Sequence, residues 1–228
     1  MIIAISQRNI RIDKGAGRDA LENDYVAYFE KFDITLLPIP NVCKSLDKYF
    51  DDITIKGIIL SGGNDVNPVL YGGKPKNEDF SEQRDNTEKN LLEIAIKRKL
   101  PLLGICRGTE FINVFFGGSL IQNIKGKTGS NHVAVTHTVR IIDEKTSKFL
   151  NKKKIMVNSY HNQGMDNNSL SPELKPFAIS EDGIIEGIYH PKYPIAGVLW
   201  HPERKSTDEE INKKIIEAFL NEKLFWNK

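Results

Sequence analysis

"PLLGICRGTEF", Pro101 to Phe111, decides how this chain is read. Residues 101–105 are apolar without alternation, the pattern of a strand buried on both faces. The run ends at Cys106, one of only two cysteines, set between Gly104 and Gly108. "FINVFF" then takes a helical spacing and stops at Gly117-Gly118. Cys106 therefore stands at a strand-to-helix elbow. Such an elbow needs small neighbours, because the backbone turns sharply while the side chain projects into the open. In open parallel sheets, ligands bind beyond the carboxyl ends of the strands. The helix N-terminus is expected to favour thiolate over thiol, and the Arg107 N–H to face any carbonyl under attack.

The same pattern recurs on either side of the elbow. "IIAIS" (2–6), "ITLLPI" (34–39) and "GIILS" (57–61) are further buried runs, separated by helical spacings at 20–32 and 85–99. Asp85-x-x-Glu88 reads as a capping box for the second helix. Strand–helix alternation predicts a mostly parallel central sheet flanked by helices. The second half changes character. Strands at 132–141, 154–159, 176–180, 184–190 and 194–200 follow one another through short connections and predict a small antiparallel extension. A last helix, capped by Ser206 and Glu209, closes the chain. No linker composition interrupts residues 1–228, so one α/β domain is expected.

Composition excludes several function classes. A net charge of +2 carries no nucleic-acid footprint. No apolar stretch approaches the ~20 residues that span a bilayer. "MIIAISQRNIRI" is too short an apolar run for a signal peptide. Cys43 and Cys106 form neither a disulfide framework nor a zinc-type spacing. The expectation is a cytoplasmic protein with no nucleic-acid or membrane partner.

A nucleophilic thiol needs a base and a group that orients the base. "VLWHPERK" offers both. His201 and Glu203 point the same way in an extended segment, and Pro202 biases His201 toward that geometry. His201 is expected to take the thiol proton and Glu203 to hold the far side of the imidazole. "ILSGGNDVNP" (59–68) ends a strand in Gly62-Gly63, whose bare backbone can donate N–H groups to a ligand. Gly63 with Arg107 makes a two-donor oxyanion hole. Each piece alone also has a plain structural reading: a buried thiol, a surface turn, a glycine-rich turn. Together they are specific.

These three motifs, in this order, resemble the class I glutamine amidotransferases, and more narrowly the free-standing γ-glutamyl hydrolases of the peptidase C26 family. "LYGG" (70–73), "RDNTE" (84–88), "GGSLIQNI" (117–124), "VNSYHNQ" (157–163) and "DGIIEGI" (182–188) extend the likeness over nearly the whole chain. The resemblance implies a flavodoxin-like fold, a Cys106–His201–Glu203 triad, and cleavage of a small-molecule γ-glutamyl amide through a thioester. It implies no metal or cofactor. Glu110 stands where many members carry Gln. It either pairs with the substrate's α-ammonium or stabilises the helix N-terminus. Gly62, Asn64, Ser159, Tyr160 and His161 match the family's substrate-contacting stretches. His132, His137 and His190 read as structural, since no metal-ligand spacing ties them together.

The leaving amine is read from the segment after the first strand. "SQRNIRIDKGAGRD" (6–19) carries Arg8, Arg11, Lys14 and Arg18, with glycines that admit an anion. It is either a solvated basic loop or a phosphate site for a nucleotide-linked substrate. The overall match is to family members acting on γ-glutamyl-CDP-amidate, which implies a place in capsule phosphoramidate biosynthesis. Cleavage of γ-glutamyl-γ-aminobutyrate, or service as the glutaminase subunit of a synthetase, are the alternatives. A cysteine α/β-hydrolase is disfavoured by the tight His-x-Glu spacing.

Overall fold

A computed structural model describes residues 1–12, 16–75, 79–205 and 208–227. Nine strands form one sheet. Its parallel half runs β4 (Thr35–Ile39), β1 (Ile2–Ser6), β5 (Ile58–Leu60), β6 (Leu102–Ile105) and β11 (Ile195–Val198). It continues, antiparallel, through β10 (Ile185–Tyr189), β9 (Lys175–Ser180), β7 (Val133–Ile141) and β8 (Lys154–Tyr160). The antiparallel strands thus extend the parallel sheet beyond β11, the strand that follows β6 in the sheet and leads to His201.

The continuous apolar runs are explained by burial on both faces. Along β5, Ile58 and Leu60 join one core, and Ile59 joins the other. The first core is covered by α2 (Asp47–Asp52), α3 (Glu82–Arg98) and α4 (Arg107–Phe115), and the second by α1 (Asn23–Phe29) and α7 (Glu209–Leu220). Two short helices, α5 (Ile124–Thr128) and α6 (Glu144–Leu150), complete the set. Among the described residues, no helix is long and apolar enough to cross a membrane.

Three local expectations change. The segment after β1 is a hairpin, β2 (Arg8–Ile12) and β3 (Ala16–Ala20), instead of a loop. Helix α3 begins at Glu82, and its N-cap is Ser81, whose hydroxyl accepts from the Arg84 amide at 3.3 Å. Asp85 and Glu88 therefore sit inside the helix, buried, where they serve another purpose. Helix α7 starts at Glu209 after an Asp208 N-cap position, and Ser206 lies outside the described residues.

The glycines around the elbow set how closely α4 approaches the sheet. A Cβ on Gly108 would stand 2.1 Å from the Leu60 carbonyl oxygen, and one on Gly104 would stand 2.8 Å from Thr109 N. Backbone cannot yield cheaply at such distances. Gly108→Ala is accordingly expected to cost about 3 kcal/mol or more, the upper end of overpacking. Gly72→Ala, at φ +74° with open space around it, should cost only the left-handed penalty of about 1–2 kcal/mol. Urea unfolding of the two variants measures the difference.

Candidate active site

Cys106 occupies φ +51°, ψ −110°, a strained conformation for a non-glycine residue. Its amide donates to the Val198 carbonyl at 2.8 Å, tying the elbow to β11. Thr109 Oγ1 donates to that carbonyl at 2.7 Å and locks the first turn of α4. The strain is thus held by the sheet on one side and the helix on the other.

His201 follows β11. Its Nδ1 lies 2.6 Å from Glu203 Oε1, and both side chains are buried. Nδ1 therefore donates to the carboxylate, leaving Nε2 as the basic nitrogen. The backbone of His201 is gripped by Asn158: His201 N–H donates to Oδ1 at 2.8 Å, and Nδ2 donates to the His201 carbonyl at 2.9 Å. Gly62 sits between base and thiol. A Cβ there would be 2.9 Å from His201 Cε1 and 3.6 Å from Cys106 Cβ. The three distant motifs therefore meet at one point.

The glycine loop is held from behind by a buried ionic cluster. Arg84 Nη2 donates to the Ser61 and Gly62 carbonyls at 2.7 and 2.9 Å, and Arg107 Nε donates to the Asn64 carbonyl at 3.0 Å. Glu88 accepts from Arg84 Nε at 2.9 Å and from Ser6 Oγ at 2.8 Å. Arg107 also binds Glu88 and Asp85. Two guanidiniums and two carboxylates thus neutralise one another while pulling three carbonyls of the loop inward. The Gly62 amide is itself used, donating to Tyr25 Oη at 2.8 Å.

The thiol differs from expectation. Burial pushes the Cys106 thiol well above its ordinary range, and the charges of Glu110 and Glu203 add to the rise. The Arg107 amide, which donates to the sulfur, and Arg204 oppose it more weakly. The helix terminus does act in the expected direction, but desolvation outweighs it. Burial and these charges therefore favour the neutral thiol over the thiolate in the resting site.

The expected substrate contacts divide. Glu110, buried one turn into α4, is raised to about 7, first by burial and then by Asp65, against the lowering influence of His161 and Arg107. Tyr160 is half exposed, with its ring edge-on to His201 at 5.6 Å and under the Arg204 guanidinium at 4.6 Å. Arg204 in turn binds Glu22 at 2.7 Å. Asn64 Nδ2 is tied to Asp79 at 2.9 Å. Ser159 is fully buried, with its hydroxyl donating to the His132 carbonyl at 2.6 Å. His161 turns toward Glu186, 3.5 Å away, and its Nδ1 donates to the Gln163 carbonyl. Ser159 is therefore spent on structure, while Asn64 Oδ1 and His161 Nε2 keep no hydrogen-bond partner of acceptable geometry among the described residues.

The basic set divides too. Arg8 lies at the glycine loop, its Cγ and Cδ 3.3 Å from where a Gly63 Cβ would be. Arg18, opposite Ile10 in the hairpin, shares a face with Arg8 and is exposed. Arg11 is placed only by its backbone, opposite Gly17, and Lys14 lies outside the described residues. A cavity of about 820 Å³ behind the 201–205 segment, lined by Tyr28, Glu203 and Leu220, does not include Cys106.

Several residues escaped the sequence reading. Asn158 and Tyr25 position His201 and Gly62 across long sequence separations, which no local pattern signals. Arg84, Asp85 and Glu88 did carry a signal, charges at i, i+1 and i+4 near the start of a helix, but it also fits an ordinary cap.

Residues 2–203 match the family model for Peptidase C26. The chain is 32% identical over 209 residues to the γ-glutamyl-CDP-amidate hydrolase of Campylobacter jejuni, covering 90% of this chain and 92% of that one. It is 30% identical over 182 residues to the γ-glutamyl-γ-aminobutyrate hydrolase of Escherichia coli O157:H7, covering 73% and 71% of the two. Among solved structures, the glutaminase domain of Trypanosoma brucei CTPS with bound acivicin matches with a TM-score of 0.66 at 14% identity, covering 99% of this chain and 96% of that one. At that identity the likeness speaks for fold alone. The chain belongs to the Peptidase C26 family, on a class I glutamine amidotransferase fold.

Two outcomes follow from this geometry. Iodoacetamide labelling of Cys106 in the ligand-free protein should climb into the alkaline range, trailing Cys43 at neutral pH. A plateau near neutrality would contradict a buried neutral thiol. Glu88→Ala, which leaves two buried guanidiniums facing Asp85 alone, is expected to cost about 3–5 kcal/mol in urea unfolding.

Proposed function

We propose that this chain hydrolyses a γ-glutamyl amide through a γ-glutamyl thioester on Cys106. The observation that carries the reading is the buried 2.6 Å His201–Glu203 pair beside the strained Cys106 elbow. His201 Nε2 takes the thiol proton as sulfur adds to the γ-carbonyl carbon. The oxyanion faces the Gly63 and Arg107 amides. Collapse breaks the C–N bond, and His201 returns the proton to the departing nitrogen. Water, deprotonated by His201, then adds to the thioester. Expulsion of sulfur releases glutamate and restores the thiol. Glu203 keeps the imidazole in the required tautomer and stabilises its charge in both halves.

A neutral resting thiol suits this cycle. Proton transfer is coupled to substrate arrival, and the thiol is protected from adventitious chemistry between turnovers. Glu110 is the proposed partner of the substrate's α-ammonium. Binding a cation there offsets the negative charge that raises the thiol, so the glutamyl head itself helps to activate the sulfur. Tyr160 covers the site over His201.

For the leaving group we favour a phosphate-bearing amine, with γ-glutamyl-CDP-amidate as the specific substrate and cytidine diphosphoramidate as the product. The likeness to the Campylobacter hydrolase spans nearly both chains. Arg8 beside the Gly63 loop, with Arg18 on the same hairpin face, supports an anion at the mouth. γ-Glutamyl-γ-aminobutyrate is the second reading, favoured by the Escherichia coli relative, and its carboxylate could also engage Arg8.

Turnover of γ-glutamyl-CDP-amidate, γ-glutamyl-γ-aminobutyrate and glutamine by the purified chain, with mass detection of products, tests this reading. The nucleotide-linked compound should give the highest kcat/KM, and Cys106→Ala should abolish turnover of all three. Equal or better use of the aminobutyrate compound would reject the nucleotide assignment. Activity on none of them would reject the γ-glutamyl reading. Because Glu110 must be ionised to hold an ammonium, KM should fall as pH rises through about 7. Glu110→Gln should flatten that profile and raise KM roughly 10-fold or more, the loss of a charge-assisted hydrogen bond.

A further inference from the structure

Apart from the thiol site, the fold gathers three histidines around one buried carboxylate. His132 immediately precedes β7, His137 lies within it, His161 immediately follows β8, and Glu186 lies on β10. His137 Nε2 stands 3.3 Å, His132 Nδ1 3.4 Å and His161 Nε2 3.5 Å from the same oxygen, Glu186 Oε1. Donor atoms of His132, His137 and Glu186 all lie within 4.8 Å of one another. His132 and His161 are 3% and 4% exposed, and Glu186 is sealed. Their sequence spacing follows no metal motif, which is why the sequence reading left His132 and His137 structural and gave His161 to the substrate.

Hydrogen bonds of good geometry do not account for the arrangement, although each imidazole contacts Glu186. Among the described residues, His132 Nδ1, His137 Nε2, His161 Nε2 and both Glu186 oxygens lack a hydrogen-bond partner of acceptable geometry. Buried polar atoms rarely remain so. The His132–Glu186 and His137–Glu186 spacings fit two edges of a metal cage, and His161 stands outside the group whose donor atoms lie within 4.8 Å. Tetrahedral coordination with bonds of ~2.0–2.1 Å places neighbouring donor atoms about 3.3–3.4 Å apart.

The outer partners point the same way. His132 Nε2 lies 3.0 Å from Asp182 Oδ2, and Asp182 is itself fixed by Ser180 Oγ at 2.5 Å. His161 Nδ1 lies 2.8 Å from the Gln163 carbonyl. The Asp182 contact takes the proton-bearing nitrogen of His132 and leaves its Nδ1 turned toward Glu186. A carboxylate or carbonyl behind a ligating imidazole is the usual support of a metal-bound histidine.

We propose that His132 Nδ1, His137 Nε2 and Glu186 Oε1 bind one divalent transition-metal ion of the zinc type. Imidazole with carboxylate is a borderline donor set suited to that class and unsuited to calcium or magnesium. Three protein donors leave the fourth position of a tetrahedral site to a non-protein ligand. The ion would join the start of β7 to β10, beside the 157–163 stretch that carries Asn158 and Tyr160 to the thiol site.

The test uses the full chain stripped with dipicolinate and titrated with Zn(II) against a chromophoric chelator. Co(II) spectra and thermal melting are recorded in parallel. One Zn(II) per chain, intense visible bands of four-coordinate Co(II) and a raised melting temperature are expected. His137→Gln, at a partly exposed position, should weaken Zn(II) binding by more than about 100-fold. Asp182→Asn, which removes only the support behind His132, should weaken it about 10–100-fold. Cys106→Ala should bind as the wild type does. Absence of stoichiometric Zn(II) binding would overturn the site. So would binding unchanged in both His137→Gln and Asp182→Asn, or binding lost in Cys106→Ala.

Discussion

The site depends on the buried pairing of Arg84 and Arg107 with Glu88 and Asp85. A glycine-rich loop such as Ser61–Asn64 has little conformational preference of its own. Its shape is imposed by donors that take its carbonyls: Ser61 and Gly62 by Arg84, and Asn64 by Arg107. Burying two guanidiniums would be prohibitive without the two carboxylates, which neutralise them and orient their forks. Arg107 also follows Cys106 in sequence, and its amide faces the sulfur. One residue therefore couples the elbow to the loop.

The same economy appears around the base. Asn158 grips the backbone of His201 while Glu203 fixes its ring, so the imidazole is held from two directions. Burial that supports these contacts also raises the thiol. Under the proposed function the arrangement trades resting nucleophilicity for control: the sulfur would be ionised only when base, substrate charge and oxyanion donors act together. That trade is consistent with Glu110, a buried acid near its own midpoint at neutral pH, beside the thiol.

Much of this was legible in the sequence because its strongest signals are local. Unbroken apolar runs announced strands buried twice over, and the glycines at 104 and 108 announced an elbow. A two-residue spacing placed Glu203 behind His201. What stayed hidden depends on residues far apart in the chain. Asp85-x-x-Glu88 reads naturally as a cap until tertiary contact with Arg107 shows otherwise. The hairpin at 8–20 was obscured by its charged composition, which reads as loop. Thiol acidity was misjudged because a helix terminus is visible in sequence and desolvation is not. His132, His137, His161 and Glu186 meet only through the register of four strands.

The central claim is that Arg84 shapes the oxyanion loop from behind without touching substrate. Steady-state kinetics of Arg84→Met, with circular dichroism to show a folded chain, tests it most directly. Glu88 keeps Arg107 and Ser6 as partners in this variant, so the cluster is trimmed and not dismantled. If the loop carbonyls need that guanidinium, kcat on the preferred γ-glutamyl amide should fall about 10²–10³-fold with KM little changed, the scale of a lost oxyanion donor. A folded variant whose kcat stays within about 3-fold of the wild type, well short of that scale, would contradict the account.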